Sequence, residues 1–147
     1  MIPAISKALA NVLAIETSLN EVERVDFNPP SQSLMGKAAL NIYCYNYCCA
    51  EDCCAERKPT LPEVALAFVI SAWDTPAWGD QPLLSEALSS LKKHRQLEPK
   101  FLSPELEDYQ ALSIEVDAIP AIEPVVLWES LGLPMRPALY VTVKVPT

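Results

Sequence analysis

The stretch Leu127-Trp128-Glu129-Ser130-Leu131-Gly132-Leu133-Pro134-Met135-Arg136-Pro137-Ala138-Leu139-Tyr140-Val141-Thr142-Val143-Lys144-Val145-Pro146-Thr147 contains a helix end, a corner and a strand. The pattern predicts a helix over Glu123–Leu131 that carries Trp128 and stops at Gly132, the residue type that most readily ends a helix. An Arg136-Pro137 pair then turns the chain into an extended run. Along that run Leu139, Val141, Val143 and Val145 fall on one face, and Tyr140, Thr142 and Lys144 on the other, because successive strand side chains alternate. An ordered strand in this place suits assembly with other subunits better than it suits chemistry.

Working back toward the N-terminus, Val64–Trp73 is apolar on both faces, which predicts a central strand covered on both sides. Ala39–Tyr47 alternates, with Leu40, Ile42 and Cys44 on one face and Asn41, Tyr43, Tyr45 and Tyr47 on the other. Leu112, Ile114 and Val116 predict a half-exposed strand, and Val22–Phe27 a short edge strand stopped by Asn28-Pro29-Pro30. Ile5, Leu9, Val12 and Leu13 place a helix over residues 3–18, with Pro3 in its first turn. Leu83, Leu84, Ala87, Leu88 and Leu91 place a second over 82–95, opening at Pro82. The segments 31–37, 48–62 and 74–79 read as loops or turns, and 99–108 as a connection with one helical turn after Ser103-Pro104. These elements predict one α/β (α+β) domain over residues 1–147, a mixed sheet of four or five strands with three helices.

Composition narrows the partners. Half of the 147 residues are hydrophobic and a fifth are charged, as in an ordinary globular domain. A formal net charge of −8 argues against nucleic acid and anionic membrane, which need clustered cations. The basic run Lys92-Lys93-His94-Arg95 reads as a helix C-terminus, where cations complement the dipole. Residues 1–19 lack the basic start and apolar run of a targeting segment, and no stretch is long enough to span a bilayer. The expectation is folding in the cytoplasm.

All five cysteines lie between positions 44 and 54. Cys44 reads as a small core hydrophobe. Cys48, Cys49, Cys53 and Cys54 form a tight cluster, whereas a zinc site usually pairs two short-spaced cysteines with a distant second pair. A metal-binding or redox module on these four remains the alternative reading, beside a loop in a reducing compartment. No metal ligand set and no cofactor site is assigned. His94 has no evident acid partner in the sequence, and no nucleophile elbow, P-loop or dinucleotide fingerprint is present. With no base placed beside a nucleophile, the chain is expected not to be an enzyme. Trp73, Trp78 and Trp128 suit core packing or interface anchoring alike.

In order and spacing, several segments together resemble a known family. They are Met1–Leu9, Leu40–Tyr45, Pro62 leading into Ala65–Trp73, Leu83–Leu88 before Leu91–His94, Leu112–Val116, and Leu127-Trp128 with Arg136–Tyr140. The chain resembles the N-terminal domain of the terminator, or cap, protein of extracellular contractile injection systems of the antifeeding-prophage and Photorhabdus-virulence-cassette type. The loop after Tyr47, usually polar in that family, is here the cysteine cluster, and family members often carry a further C-terminal region.

The resemblance implies a structural protein that assembles as a homo-oligomeric ring, a hexamer, on the distal end of the inner tube. There it stops tube growth and anchors the last sheath ring. It implies tube and sheath subunits as partners, no nucleic acid, no membrane insertion, and incorporation into the particle after cytoplasmic assembly. Another ring or adaptor role in the same particle is the neighbouring alternative. Trp128, Arg136 and Tyr140 are the expected interface corner. Leu139, Val141, Val143 and Val145 belong to the strand expected to pair with a neighbour, Val22–Phe27 being the other available edge.

Overall fold

A computed structural model describes residues 2–17, 19, 21–34, 39–49, 63–73, 77–102, 104–106, 112–116, 120 and 122–146. Its described α-helices are α1 (Ile2–Glu16), α2 (Ala77–Lys93) and α3 (Pro124–Ser130). The described residues also include six strands: β1 (Val25–Asp26), β2 (Leu40–Cys49), β3 (Glu63–Ala72), β4 (Gln96–Leu97), β5 (Leu112–Val116) and β6 (Ala138–Pro146). They form a single mixed sheet in the order β1-β2-β3-β6-β5-β4, with β1 parallel to β2 and every other pair antiparallel. The α/β class expected from periodicity holds. The strand count rises to six because β4 is only two residues long, too short to show a period.

The sheet has a thick side and a thin side. On the thick side Leu40, Ile42, Leu66, Phe68, Ile70, Val141 and Val143 pack against Ile5, Leu9, Val12 and Leu13 of α1 and Leu83, Leu84, Ala87 and Leu91 of α2. The spacing of the α1 set puts it on one helical stripe. Each such side chain, once fully buried, contributes about 1.5–3 kcal/mol. On the thin side Val69 meets Leu34, Trp73, Leu127 and Trp128, with Tyr43, Tyr45 and Tyr140 partly buried around them. β3 is therefore covered on both faces, as its unbroken apolar run predicts.

Four expectations need correction. Residues 77–81 are helical, so α2 begins at Ala77 and carries Pro82 inside it. The missing proline N–H forfeits one bond, to the carbonyl four residues earlier. The pairing of β2 with β3 is displaced between Cys44 and Asn46, a β-bulge. Before it Tyr43 pairs with Val69; after it Tyr47 pairs with Leu66, which faces the helices. Tyr43 and Tyr47 thus lie on opposite faces, and Tyr47 is 67% exposed. β2 also runs on through Cys48 and Cys49, so these two belong to the strand and not to the predicted loop over 48–62, the rest of which lies outside the described residues. Finally, β6 is flanked by β3 and β5, so it is an interior strand rather than an edge. The edge strands are β1, within the predicted Val22–Phe27 segment, and β4.

The corner around Trp73, Arg136 and Trp128

The residues singled out at 128–140 come together on the thin side of the sheet. Pro124 opens α3 at a position where its missing N–H does no harm. Gly132, at φ 71°, closes it. The Gly132 N–H donates to the Glu129 carbonyl at 3.0 Å, and the Leu133 N–H donates to Trp128 at 3.1 Å. This paired arrangement is a Schellman end. It reverses the chain and brings residues 133–137 back over the sheet.

Trp128 is 1% exposed, and its indole N–H donates to the Tyr140 hydroxyl at 3.1 Å. Tyr140 pairs with Val69 in the sheet, so this bond fastens α3 to the middle of β6 and β3. Arg136 reaches the far end of β3. Its guanidinium lies 3.7 Å from the centroid of the Trp73 ring and donates to the Ala72 carbonyl at 2.7 Å. Trp73 is itself held from two sides: its main-chain N–H donates to Ala39 at 2.9 Å, and its indole N–H donates to Ser71 Oγ at 2.9 Å. A cation held close over an aromatic face while bonded to a carbonyl suits the planar fork of arginine.

Trp128, Arg136 and Tyr140 therefore form a corner of the fold itself. The remaining expected interface residues separate from it. Val141, Val143 and Val145 are fully buried on the thick side, and Leu139 packs partly against the same core. The main chain of β6 is bonded to β3 along its length and to β5 over Val141–Lys144. Pairing of β6 with a neighbouring subunit is thus closed along that stretch. Ser71 and the Ala72 carbonyl were not visible as partners in the sequence; the one available signal was a tryptophan placed directly after a buried strand.

His94 does have an acid partner. Its Nε2 lies 2.7 Å from Glu16 Oε1, joining the C-terminal ends of α2 and α1. The hydrogen bond from His94, aided by the charges of His94 itself, Lys93 and Lys100, holds the Glu16 carboxyl below its ordinary value of 4.5 against a smaller upward push from burial. Phe101 meets the imidazole edge-on at 6.0 Å. Cys44 is half-buried, and burial pushes its thiol up, so it is a poor nucleophile. The side chains of Cys48, Cys49 and Trp78, and all of Cys53 and Cys54, lie outside the described residues. Among the described residues no three His, Cys, Asp or Glu side chains gather as a metal would require, and no helix is long and apolar enough to cross a membrane.

The comparisons with known proteins agree with one another. The sequence profile of the Pvc16 N-terminal domain matches residues 4–147. No curated protein matches the chain. Among solved structures, the sheath/tube terminator of an extracellular contractile injection system, PVC, superposes with a TM-score of 0.66 at 19% identity, over 100% of this chain and 56% of that one. The tube-terminating cap of the anti-feeding prophage superposes with a TM-score of 0.62 at 21% identity, over 97% of this chain and 53% of that one. The chain thus spans about half the length of either cap, and at these identities the likeness establishes the shared fold. Neither comparison lends support to a metal or redox module.

Proposed function

Because the chain belongs to the Pvc16 N-terminal domain family, we propose that it is a structural, non-enzymatic cap that terminates the inner tube and anchors the distal sheath of a contractile injection particle. The observation that carries this reading is the agreement in fold with two tube-terminating proteins over essentially the whole chain. The protein assembles as a homo-oligomeric ring, with six copies as the stoichiometry to test, and contacts tube and sheath subunits. It folds in the cytoplasm and leaves with the particle.

The fold suits this task. A rigid sheet backed by two helices presents fixed surfaces, and a head-to-tail contact that closes into a ring ends a polymer without templating the next layer. The acidic balance keeps the unassembled subunit soluble. With β6 enclosed, the sheet edges open to strand exchange with sheath are the short strands β1, within the segment expected for this role, and β4. The corner of Trp128, Arg136 and Tyr140 supports the interface by fixing α3, whose outer face is the surface offered to neighbours.

Deletion of the gene, followed by electron microscopy of the particles, tests the proposal. Irregular lengths, or tubes with missing or detached distal sheath, are expected. Particles of normal length with intact distal ends would overturn it, and a defect confined to the baseplate end would move the protein to an adaptor role.

A further inference from the structure

The sheet divides the described apolar interior into two clusters of unequal size. The thick-side cluster draws on α1, α2 and all six strands. The thin-side cluster has five fully packed members, Leu34, Val69, Trp73, Leu127 and Trp128, and two of these come from α3. Ile122, Leu131 and Leu133, on either side of them in the chain, are only partly buried there. The two clusters meet through the sheet and share no side chain.

Residues 122–137 have little of their own to hold them. α3 is seven residues long, whereas a helix shorter than about 12–15 residues is marginal in water without packing. No side-chain bond caps its start at Glu123, no acid lies in its first turn and no base in its last. Leu127 donates its N–H to Glu123 at 3.0 Å and Leu131 to Leu127 at 3.1 Å, and the two Schellman bonds close on Glu129 and Trp128. Among the described residues, these main-chain bonds all stay inside the segment and none reaches the sheet. The pairing of β6 with β3 begins only at Ala138, opposite Ser71, so the ladder does not include the segment either. Its attachments are the packing of Leu127 and Trp128, the Trp128–Tyr140 bond, and Arg136 on Ala72 and Trp73. α1, by contrast, buries eight residues in the thick-side core.

We propose that residues 122–137 form a strap that opens from the sheet as one cooperative unit while the sheet, α1 and α2 stay folded. Regions that open below the global unfolding free energy are those with few buried apolar contacts and self-contained hydrogen bonding, and the strap has both. Opening breaks the Trp128–Tyr140 and Arg136–Ala72 bonds together, because a seven-residue helix released from its packing does not persist. It uncovers Val69, Trp73 and Tyr140 on the sheet and leaves every strand pairing intact. The subunit is then a fixed frame with one movable element. This inference concerns the free subunit and does not depend on the cap reading.

Native-state hydrogen exchange on the purified protein, read amide by amide at low denaturant concentrations, tests it. The amides of Leu127, Leu131, Gly132 and Leu133 should share one denaturant-dependent opening and exchange about tenfold or more faster than those of β3 and β6. Phe68→Ala weakens the thick-side core, which is present in both the closed and the open form. It should speed β3 exchange about a hundredfold or more and leave the four strap amides within about twofold. Should that variant fail to fold, Ile42→Val makes the same comparison with an effect of about twofold to tenfold on β3. Tyr140→Phe acts on the closed form alone, removing the acceptor of the Trp128 bond. It should speed the strap and β3 amides by the same factor, about tenfold. The proposal is overturned if the strap amides are as slow as those of β3, or if a thick-side variant accelerates both sets in step. Four unrelated rates that ignore denaturant, or strap amides unmoved by Tyr140→Phe, would overturn it as well.

Discussion

Replacing Arg136 by alanine should loosen the corner that fastens the residues after α3 to the end of β3. The interactions lost include the hydrogen bond to the Ala72 carbonyl at 2.7 Å and the contact over the Trp73 ring at 3.7 Å. A hydrogen bond to a charged group is worth about 1.5–3 kcal/mol, and a cation over an aromatic ring at a half-exposed site about 0.5–1 kcal/mol. Because Arg136 is only half-buried, the lower part of the sum applies, about 2–3 kcal/mol. For a chain of this length each kcal/mol shifts the melting temperature by about 2–4 °C, so a fall of about 5–10 °C is expected by calorimetry. Arg136→Lys keeps the charge without the planar fork and should fall between. Arg136→Glu should cost more than alanine, because a carboxylate would then face both a carbonyl oxygen and the negative face of the indole. A double-mutant cycle with Trp73→Leu isolates the stacking as a coupling of about 0.5–1 kcal/mol. As a control, Lys144→Ala removes an exposed 3.4 Å contact with Glu115 and should change little. If Arg136→Ala melts within a degree of the unaltered protein, the corner is not the structural joint described here.

Three further outcomes follow from single residues. Gly132→Ala should cost about 1–2 kcal/mol in denaturant unfolding, all of it backbone conformation, since nothing lies within 4 Å of the added carbon; Gly132→Asn should cost less. Phe68→Ala, at a side chain buried between the sheet and the helices, should cost about 3–5 kcal/mol by the same measurement. The depressed Glu16 carboxyl adds stability that is complete above its ordinary value of 4.5 and lost as pH falls through its lower folded value. Glu16→Gln should therefore flatten stability against pH in that acid window, read as melting temperature between pH 3 and pH 6.

What could be read in the sequence was whatever local periodicity carries. The stripe Ile5, Leu9, Val12 and Leu13 gave α1, the unbroken apolar run through Phe68 gave β3, and Gly132 marked the end of α3. Lateral order in the sheet is a different kind of information. The alternation of Val141, Val143 and Val145 states which face is buried but not which strands lie alongside, so an interior strand passed for an edge. The bulge at Tyr45 is decided by how β2 pairs, and one inserted residue moves Tyr47 to the other face. β4 is a two-residue strand fixed by pairing with β5 and by burial of Leu97 in the core, both of which involve residues distant in sequence. The partner of His94 lies 78 residues away at Glu16, brought near only when the two helices pack. At the corner, the residue types Arg, Trp and Tyr were visible, and their use inside the domain was not, because stacking and capping of one strand end by another segment leave no sequence period.

The cap assignment is tested most directly by locating the protein in the particle. A small density label fused to it, imaged by cryo-electron microscopy on intact particles, should appear only at the end distal to the baseplate, as a symmetric ring over the last tube layer. Label at the baseplate, along the sheath, or absent from purified particles would contradict the account.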